Sequence, residues 1–106
     1  MVDNTIEQAI RCGKAVFKII GVDIDAKRRE VDMVTTFSDY VQKLQSHIYT
    51  PLLYKLSFKE RIGYLYGCFN YEYNTPRNEV YEVYVRFIGS SEWTLWYTIP
   101  PSFDVA

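Results

Sequence analysis

The residues that could carry out catalysis are few and widely separated. His47 is the only histidine in the chain of 106 residues, and Cys12 and Cys68 are its two cysteines. A Cys/His pair can activate a nucleophile, but an acid must also orient the histidine, and no such acid can be located in this sequence. Neither cysteine belongs to a CxxC or Cys/His cluster typical of a zinc site. The sequence therefore predicts no enzyme, no metal and no cofactor.

The only cluster of carboxylates lies in the segment VDIDAKRREVD, at Asp23, Asp25, Glu30 and Asp32. Such a cluster could bind a hard cation, but the central glycine of an EF-hand loop is absent and KRR occupies the middle. Helix capping and solvated surface charge therefore explain these residues more simply.

Lys27, Arg28 and Arg29 form the strongest basic run and could bind a phosphate or an acidic partner. Over the whole chain, 12 basic residues are balanced by 13 acidic ones, so the net charge is -1. This balance gives no global attraction to nucleic acid or to an anionic membrane. Three charges at one point are too few to predict nucleic-acid binding, so we interpret the run as a secondary anion contact.

Aromatic residues dominate the C-terminal part of the chain. The segments GYLYGCFNYEY, EVYEVYVRFI and EWTLWYTI are rich in aromatic and β-branched residues, and NTPRN and GSS separate them. This composition is typical of successive antiparallel strands with turns between them. The sequence predicts a three-stranded meander over about residues 62–100.

The two faces of the predicted meander differ. One parity is almost wholly apolar, and we expect it to form the core. The other parity carries the predicted binding residues Tyr64, Tyr66, Tyr84, Arg86 and Trp96. Tyr, Trp and Arg are enriched at protein interfaces, and Glu72, Glu82 and Glu92 beside them would suit a partner with a basic surface. Cross-strand aromatic pairs also stabilise sheets without any partner, which is the alternative interpretation.

Two helices are predicted before the meander. The first covers the apolar residues from Ile6 to Ile20, with Gly13 as a weak point in its middle. The second is expected from about Ala26 to Tyr49, and its apolar row is Val34, Phe37, Val41, Leu44 and Ile48. Over residues 22–36 the alternative is a hairpin that turns at AKRR, followed by a shorter helix from Ser38. Ser57 and Glu60 have the spacing of a capping box and predict a further helical turn.

Together these patterns predict one α+β domain over residues 1–106. Two N-terminal helices, within about residues 4–61, would pack on one face of a three-stranded antiparallel meander. The second helix row and the second sheet face together expose enough apolar surface to predict a homodimer. No signal peptide or membrane span is indicated, so a cytoplasmic protein is expected.

The function predicted from these features is that of a small, non-catalytic protein–protein interaction module, regulatory or inhibitory, that binds its partner through the aromatic sheet face. Mobile elements often encode short domains of this kind, so an accessory protein of such an element, including a viral one, is one expected origin. The alternative is a nucleic-acid-binding module that stacks bases on the sheet aromatics. The acidic residues of that face and the missing RNP-type strand sequences weigh against this alternative.

Overall fold

The described part of the chain folds around an antiparallel sheet of four strands. A computed structural model describes residues 3–23, 25–46, 53, 55–66 and 80–99. In these ranges the elements are α1 (Asp3–Arg11), β1 (Ala15–Val22), β2 (Arg28–Thr35), α2 (Phe37–Gln45), α3 (Phe58–Leu65), β3 (Val80–Phe87) and β4 (Thr94–Ile99). The strand order is β2-β1-β3-β4, with every neighbouring pair antiparallel. The predicted α+β class with an antiparallel sheet is confirmed, whereas the arrangement of two N-terminal helices on three strands is not.

The predicted first helix is wrong beyond Arg11. Gly13 has a φ of +76°, which is the left-handed conformation that ends helices, and its N–H donates to the carbonyl of Ile10 at 3.0 Å. The following residues AVFKII are apolar except for Lys18 and rich in β-branched side chains, so they form the central strand β1. The glycine that looked like a weak point is the end of the helix.

The predicted helix from Ala26 is also wrong, and the alternative hairpin is correct. The turn is fixed by Asp23, whose Oδ1 accepts hydrogen bonds from the N–H groups of Asp25 and Lys27, each at 2.9 Å. Ala26 lies in this turn with a φ of +62°. The strand β2 then pairs with β1, and the helix begins only at Phe37. The predicted separation into a helical part and a sheet part therefore fails, because β1 and β2 lie within residues 4–61.

Capping boxes begin both later helices. Thr36 caps α2. The N–H and the hydroxyl of Thr36 both donate to the carboxylate of Asp39, each at 2.9 Å. The backbone and side-chain hydrogen bonds from Thr36 lower the pKa of Asp39. Ser57 and Glu60 cap α3 in the same way, as their spacing predicts.

Helix α3 continues through Tyr64 to Leu65, with Tyr66 as its C-cap residue. The first of the three predicted strands is therefore wrong over residues 63–66. The remainder of that predicted strand, which includes Cys68, lies outside the described residues, as does His47. The other two predicted strands are confirmed as the antiparallel pair β3 and β4.

The core lies between the helices and one face of the sheet. Its buried members from the helices are Ile6, Ile10, Tyr40, Phe58, Ile62 and Leu65, and those from the strands are Ala15, Phe17, Ile19, Tyr81, Val83, Val85 and Ile99. Phe37, Val41 and Leu44 pack against this core. They do not continue a single helical row, since Val34 lies on β2 and Ile48 is outside the described residues.

The pairing of β3 with β4 contains one irregularity. Val83 pairs with Tyr97, whereas the next residue, Tyr84, pairs with Leu95. Trp96 is thus the extra residue of a β-bulge. Residues of β4 before the bulge, such as Leu95, therefore lie on the opposite face of the sheet from the one that simple alternation predicts. Among the described helices, none is long and apolar enough to cross a membrane.

Candidate functional site: the outer face of the sheet

The sheet has an outer face, which is the side opposite the helices. Strand alternation places Lys18 and Ile20 of β1 on this face together with Glu82, Tyr84 and Arg86 of β3, because their neighbours in sequence are the buried core residues. The register adds Glu30 of β2, which pairs with Ile20, and Leu95 of β4, which pairs with Tyr84. Lys18, Ile20, Glu82, Tyr84 and Arg86 on this face are all partly exposed.

A hydrogen-bonded triangle occupies the centre of the outer face. Arg28 donates from Nη2 to Oε1 of Glu82 at 2.7 Å and to the hydroxyl of Tyr84 at 2.9 Å. The Tyr84 hydroxyl in turn donates to the same oxygen of Glu82 at 2.8 Å. Three side chains from β2 and β3 thus hold one another across the intervening strand β1.

The triangle also sets the charge state of its acid. The hydrogen bond from Tyr84 lowers the pKa of Glu82, partial burial opposes this, and the hydrogen bond and positive charge of Arg28 lower it further. Glu82 is therefore a carboxylate whose negative charge is already compensated within the face. A basic partner would have to compete with Arg28 for this carboxylate, and the predicted basic partner stays a prediction.

Two cations lie over the indole ring of Trp93. Nζ of Lys18 is 4.4 Å from the ring centroid, and Cζ of Arg86 is 5.3 Å from it. Arg86 also donates from Nη1 to the carbonyl of Ser90 at 2.9 Å, which fixes its guanidinium beside the turn before β4. Cation–π contacts of this kind hold long side chains in defined positions on a partly exposed surface.

A groove of about 420 Å³ crosses the outer face between these two groups. It is lined by Lys18, Ile20, Arg28, Arg29, Glu30, Tyr84 and Trp93. The cations come from β1 and β2, and the aromatic rings come from β3 and from the residue before β4. The groove therefore joins basic and aromatic groups that are far apart in the sequence.

Three large apolar side chains on or next to the strands of the sheet are exposed. Val34 on β2 is 46% exposed, and Leu95 on β4 is 47% exposed. Ile88 is 61% exposed and continues the ladder of β3, since its N–H donates to the carbonyl of Lys14 at 2.8 Å. These are the exposed large hydrophobic residues of the described chain, and each belongs to or directly follows a strand of the sheet.

The structure brings together part of the predicted binding set. Tyr84 and Arg86 lie on the outer face, and Arg28 and Arg29, predicted as secondary anion contacts, line the same groove. Lys27 lies just before β2, in the turn held by Asp23. Two of the predicted binding residues and two of the predicted anion contacts thus share one surface.

The remaining predicted residues lie elsewhere. Tyr64 and Tyr66 belong to α3 and its C-cap, and the buried ring of Tyr66 meets Phe17 of the core at 5.8 Å. Trp96 packs on the helix side, with its ring centroid 6.2 Å from that of Phe58. The placement of Trp96 beside Tyr84 is therefore wrong, and the cause is the bulge, which puts Leu95 in that position instead.

Sequence reasoning missed Lys18 and Trp93. Lys18 was counted within a helix, and Trp93 was assigned to the core parity of the last strand. The one available signal was Lys18 itself, a lone cation within the apolar run AVFKIIGV. In a strand buried on one face, such a residue marks the face open to solvent.

Other candidate sites have less support. A second cavity of about 380 Å³ lies beside the exposed Cys12, near the start of α2, but its walls are mostly apolar. In the described ranges, no group of three or more His, Cys, Asp or Glu side chains is placed to hold a metal ion. The outer face is therefore the best-supported candidate site.

No protein-family model, curated protein or solved structure matches this chain.

Proposed function

We propose that this protein is a non-catalytic interaction module that binds a protein partner through the outer face of its sheet. The observation that carries the proposal is the combination on one face of exposed apolar residues, such as Leu95, with Tyr84, Trp93 and fixed cations. Aromatic anchors within a mixed polar rim are the usual composition of binding hot spots. Regulation or inhibition of the partner is the role that such a small module fits.

A second candidate function is nucleic-acid binding, and one observation favours it. Lys18, Arg28 and Arg86 each lie near an aromatic ring of the outer face, so the face is more basic than the sequence of β3 and β4 alone indicates. Basic grooves with aromatic rings are typical of surfaces that bind single-stranded nucleic acid. Measuring binding to an oligonucleotide at several salt concentrations tests this function, because counterion release makes such binding strongly salt-dependent.

The homodimer stays a prediction, but one of the two surfaces on which it depends is not formed as predicted. The helical row on which it partly depends is not a single stripe, so of the two predicted contact surfaces the outer face is the one left as a dimer interface. Light scattering at micromolar concentration tests it. A particle of 12.5 kDa, the mass of one chain, would contradict the homodimer.

The main proposal can be tested by site-specific photo-crosslinking in extracts of the native host. A photoreactive residue replaces Leu95 on the outer face, and Gln42, exposed on α2, serves as the control position. We expect a protein that crosslinks at Leu95 and not at Gln42. The purified partner should then bind the wild-type chain and lose most of its affinity for Leu95→Asp. Equal capture at both positions, or unchanged affinity of the variant, would refute the proposal.

A further inference from the structure

The groove of the outer face has the opposite charge to the chain as a whole. Its charged lining is Lys18, Arg28 and Arg29 against Glu30, and Glu82 pairs with Arg28 beside it, so three positive charges stand against two negative ones and the balance is +1. The net charge of the chain is -1. Concentrating positive charge in one concave region of an acidic protein selects for a negatively charged ligand.

The cations of the groove are held in place before any ligand arrives. Lys18 is fixed over Trp93, and Arg28 is fixed by Glu82 and Tyr84. A ligand that meets side chains already ordered loses less conformational entropy on binding. Arginine guanidinium groups also present two parallel N–H donors, which match the two oxygens of a carboxylate.

From this charge and geometry we infer that the groove receives an acidic segment of the protein partner, with carboxylates at Lys18, Arg28 and Arg29. The inference deepens the proposed function and rests on it. The side chains of Ile20, Tyr84 and Trp93 would contact the apolar parts of the same segment. The volume of about 420 Å³ is that of a small binding pocket, so it admits a few side chains of an extended chain.

An acidic peptide fits the groove better than a nucleic-acid strand does. The rings of Trp93 and Tyr84 already have Lys18 and Arg28 near them, so a stacking base would have to displace a cation. Glu30 lines the groove and Glu82 lies beside it, where both would face a continuous phosphate backbone. The carboxylates of a peptide lie on flexible side chains that can turn away from these two acids, whereas the phosphates of a strand are part of its backbone.

The test is an NMR titration of the full chain with a hexaglutamate peptide at low salt. The two indole N–H signals distinguish Trp93, in the groove, from Trp96, which packs against Phe58, and Trp93→Phe assigns them. We expect the Trp93 signal to shift in a saturable way while the Trp96 signal stays in place. Lys18→Gln and Arg28→Gln should each weaken binding by about fivefold, since each removes one charge contact.

Lys55→Gln is the matched control, because Lys55 is exposed beside α3 and its loss makes the same change in net charge. It should change the affinity by less than about twofold. Equal weakening by Lys18→Gln and Lys55→Gln would overturn the inference, because only overall charge would then matter. Tighter binding of a dodecathymidylate strand than of hexaglutamate at the same salt would overturn it in favour of nucleic acid.

The crosslinking experiment at Leu95 separates this inference from the proposed function. If a partner crosslinks there and its affinity is unchanged by Lys18→Gln and Arg28→Gln, the acidic segment is refuted and the proposed function stands. If no partner binds the outer face and hexaglutamate leaves the Trp93 signal unmoved, both are refuted. Loss of partner affinity in both variants, with the Lys55→Gln control unaffected, supports the inference.

Discussion

The guanidinium of Arg28 lies 2.7 Å from Oε1 of Glu82, and this contact crosses the strand that separates β2 from β3. Arg28 belongs to an edge strand, whereas Glu82 belongs to a central one. The pair therefore links an edge strand of the sheet to its middle, on the face that we propose binds a partner. Because the guanidinium is half exposed, solvent screens the pair, and its contribution to stability should be the small one of a surface ion pair.

The variant Glu82→Gln should lower stability at neutral pH but not in acid. The folded state lowers the pKa of Glu82, so its stabilising effect is present above the ordinary carboxyl pKa and is lost as the pH falls through the folded value. Urea melts of both proteins at pH 7 and near pH 3 measure the difference. An equally large difference at both pH values would show that the carboxylate charge does not stabilise the fold.

Because of the β-bulge, alanine substitutions of two aromatic residues on neighbouring strands should lower stability by different amounts. Trp96→Ala should lower the free energy of unfolding by about 3 kcal/mol, because the ring packs against Phe58 and the core. Tyr84→Ala should lower it by less than about 1.5 kcal/mol, because its ring lies on the outer face. Trp96→Phe is the conservative control and should retain most of the stability. Similar losses for Tyr84→Ala and Trp96→Ala in urea melts would contradict this placement of the bulge.

The hydroxyl of Thr36 should stabilise the start of α2. Thr36→Ala removes the acceptor for the N–H of Asp39, which lies 3.1 Å away, and should cost about 1 kcal/mol. Ser38→Ala removes a hydroxyl from the exposed first turn of the same helix and should change stability by less than about 0.5 kcal/mol. Thermal or urea unfolding distinguishes the two. Equal effects would mean that the capping bond contributes nothing.

Two tyrosines of the helix side should respond in opposite ways to loss of the hydroxyl. Tyr40 is 2% exposed, and within the described residues its hydroxyl has no hydrogen-bond partner. Tyr40→Phe should therefore leave stability unchanged or raise it by about 1 kcal/mol. Tyr97 donates to the carbonyl of Lys59 at 2.9 Å, so Tyr97→Phe should lower stability by about 1 kcal/mol. A clear loss in Tyr40→Phe would show that its hydroxyl is bonded in solution.

The elements that the sequence predicts correctly have local causes. Ser57 and Glu60 start α3 because a capping box is a contact between residues three apart. The strands β3 and β4 follow from their β-branched and aromatic composition and from the turn between them. In each case the information lies within a few residues of the element.

The errors arise where local patterns are ambiguous or depend on pairing. The apolar residues around Phe17 fit a helix face and a buried strand equally well. Gly13 is the one local sign that the helix ends before them. The bulge at Trp96 depends on the register against β3, which no short stretch of β4 encodes. Since the bulge decides which side chains share the face with Tyr84, the placement of Leu95 and Trp93 could not be predicted from alternation alone.

The position of β1 between β2 and β3 also constrains how the chain can acquire its structure. Val22 pairs with Val80, so the central ladder forms only when two segments far apart in the sequence meet. The chain between them includes β2, α2 and α3. Loop closure of this kind raises the contact order and slows folding. During synthesis, β1 and β2 can form a hairpin early, but one edge of β1 stays unpaired until residues 80–87 have left the ribosome. The nascent chain is therefore most prone to aggregation through β1 in that interval.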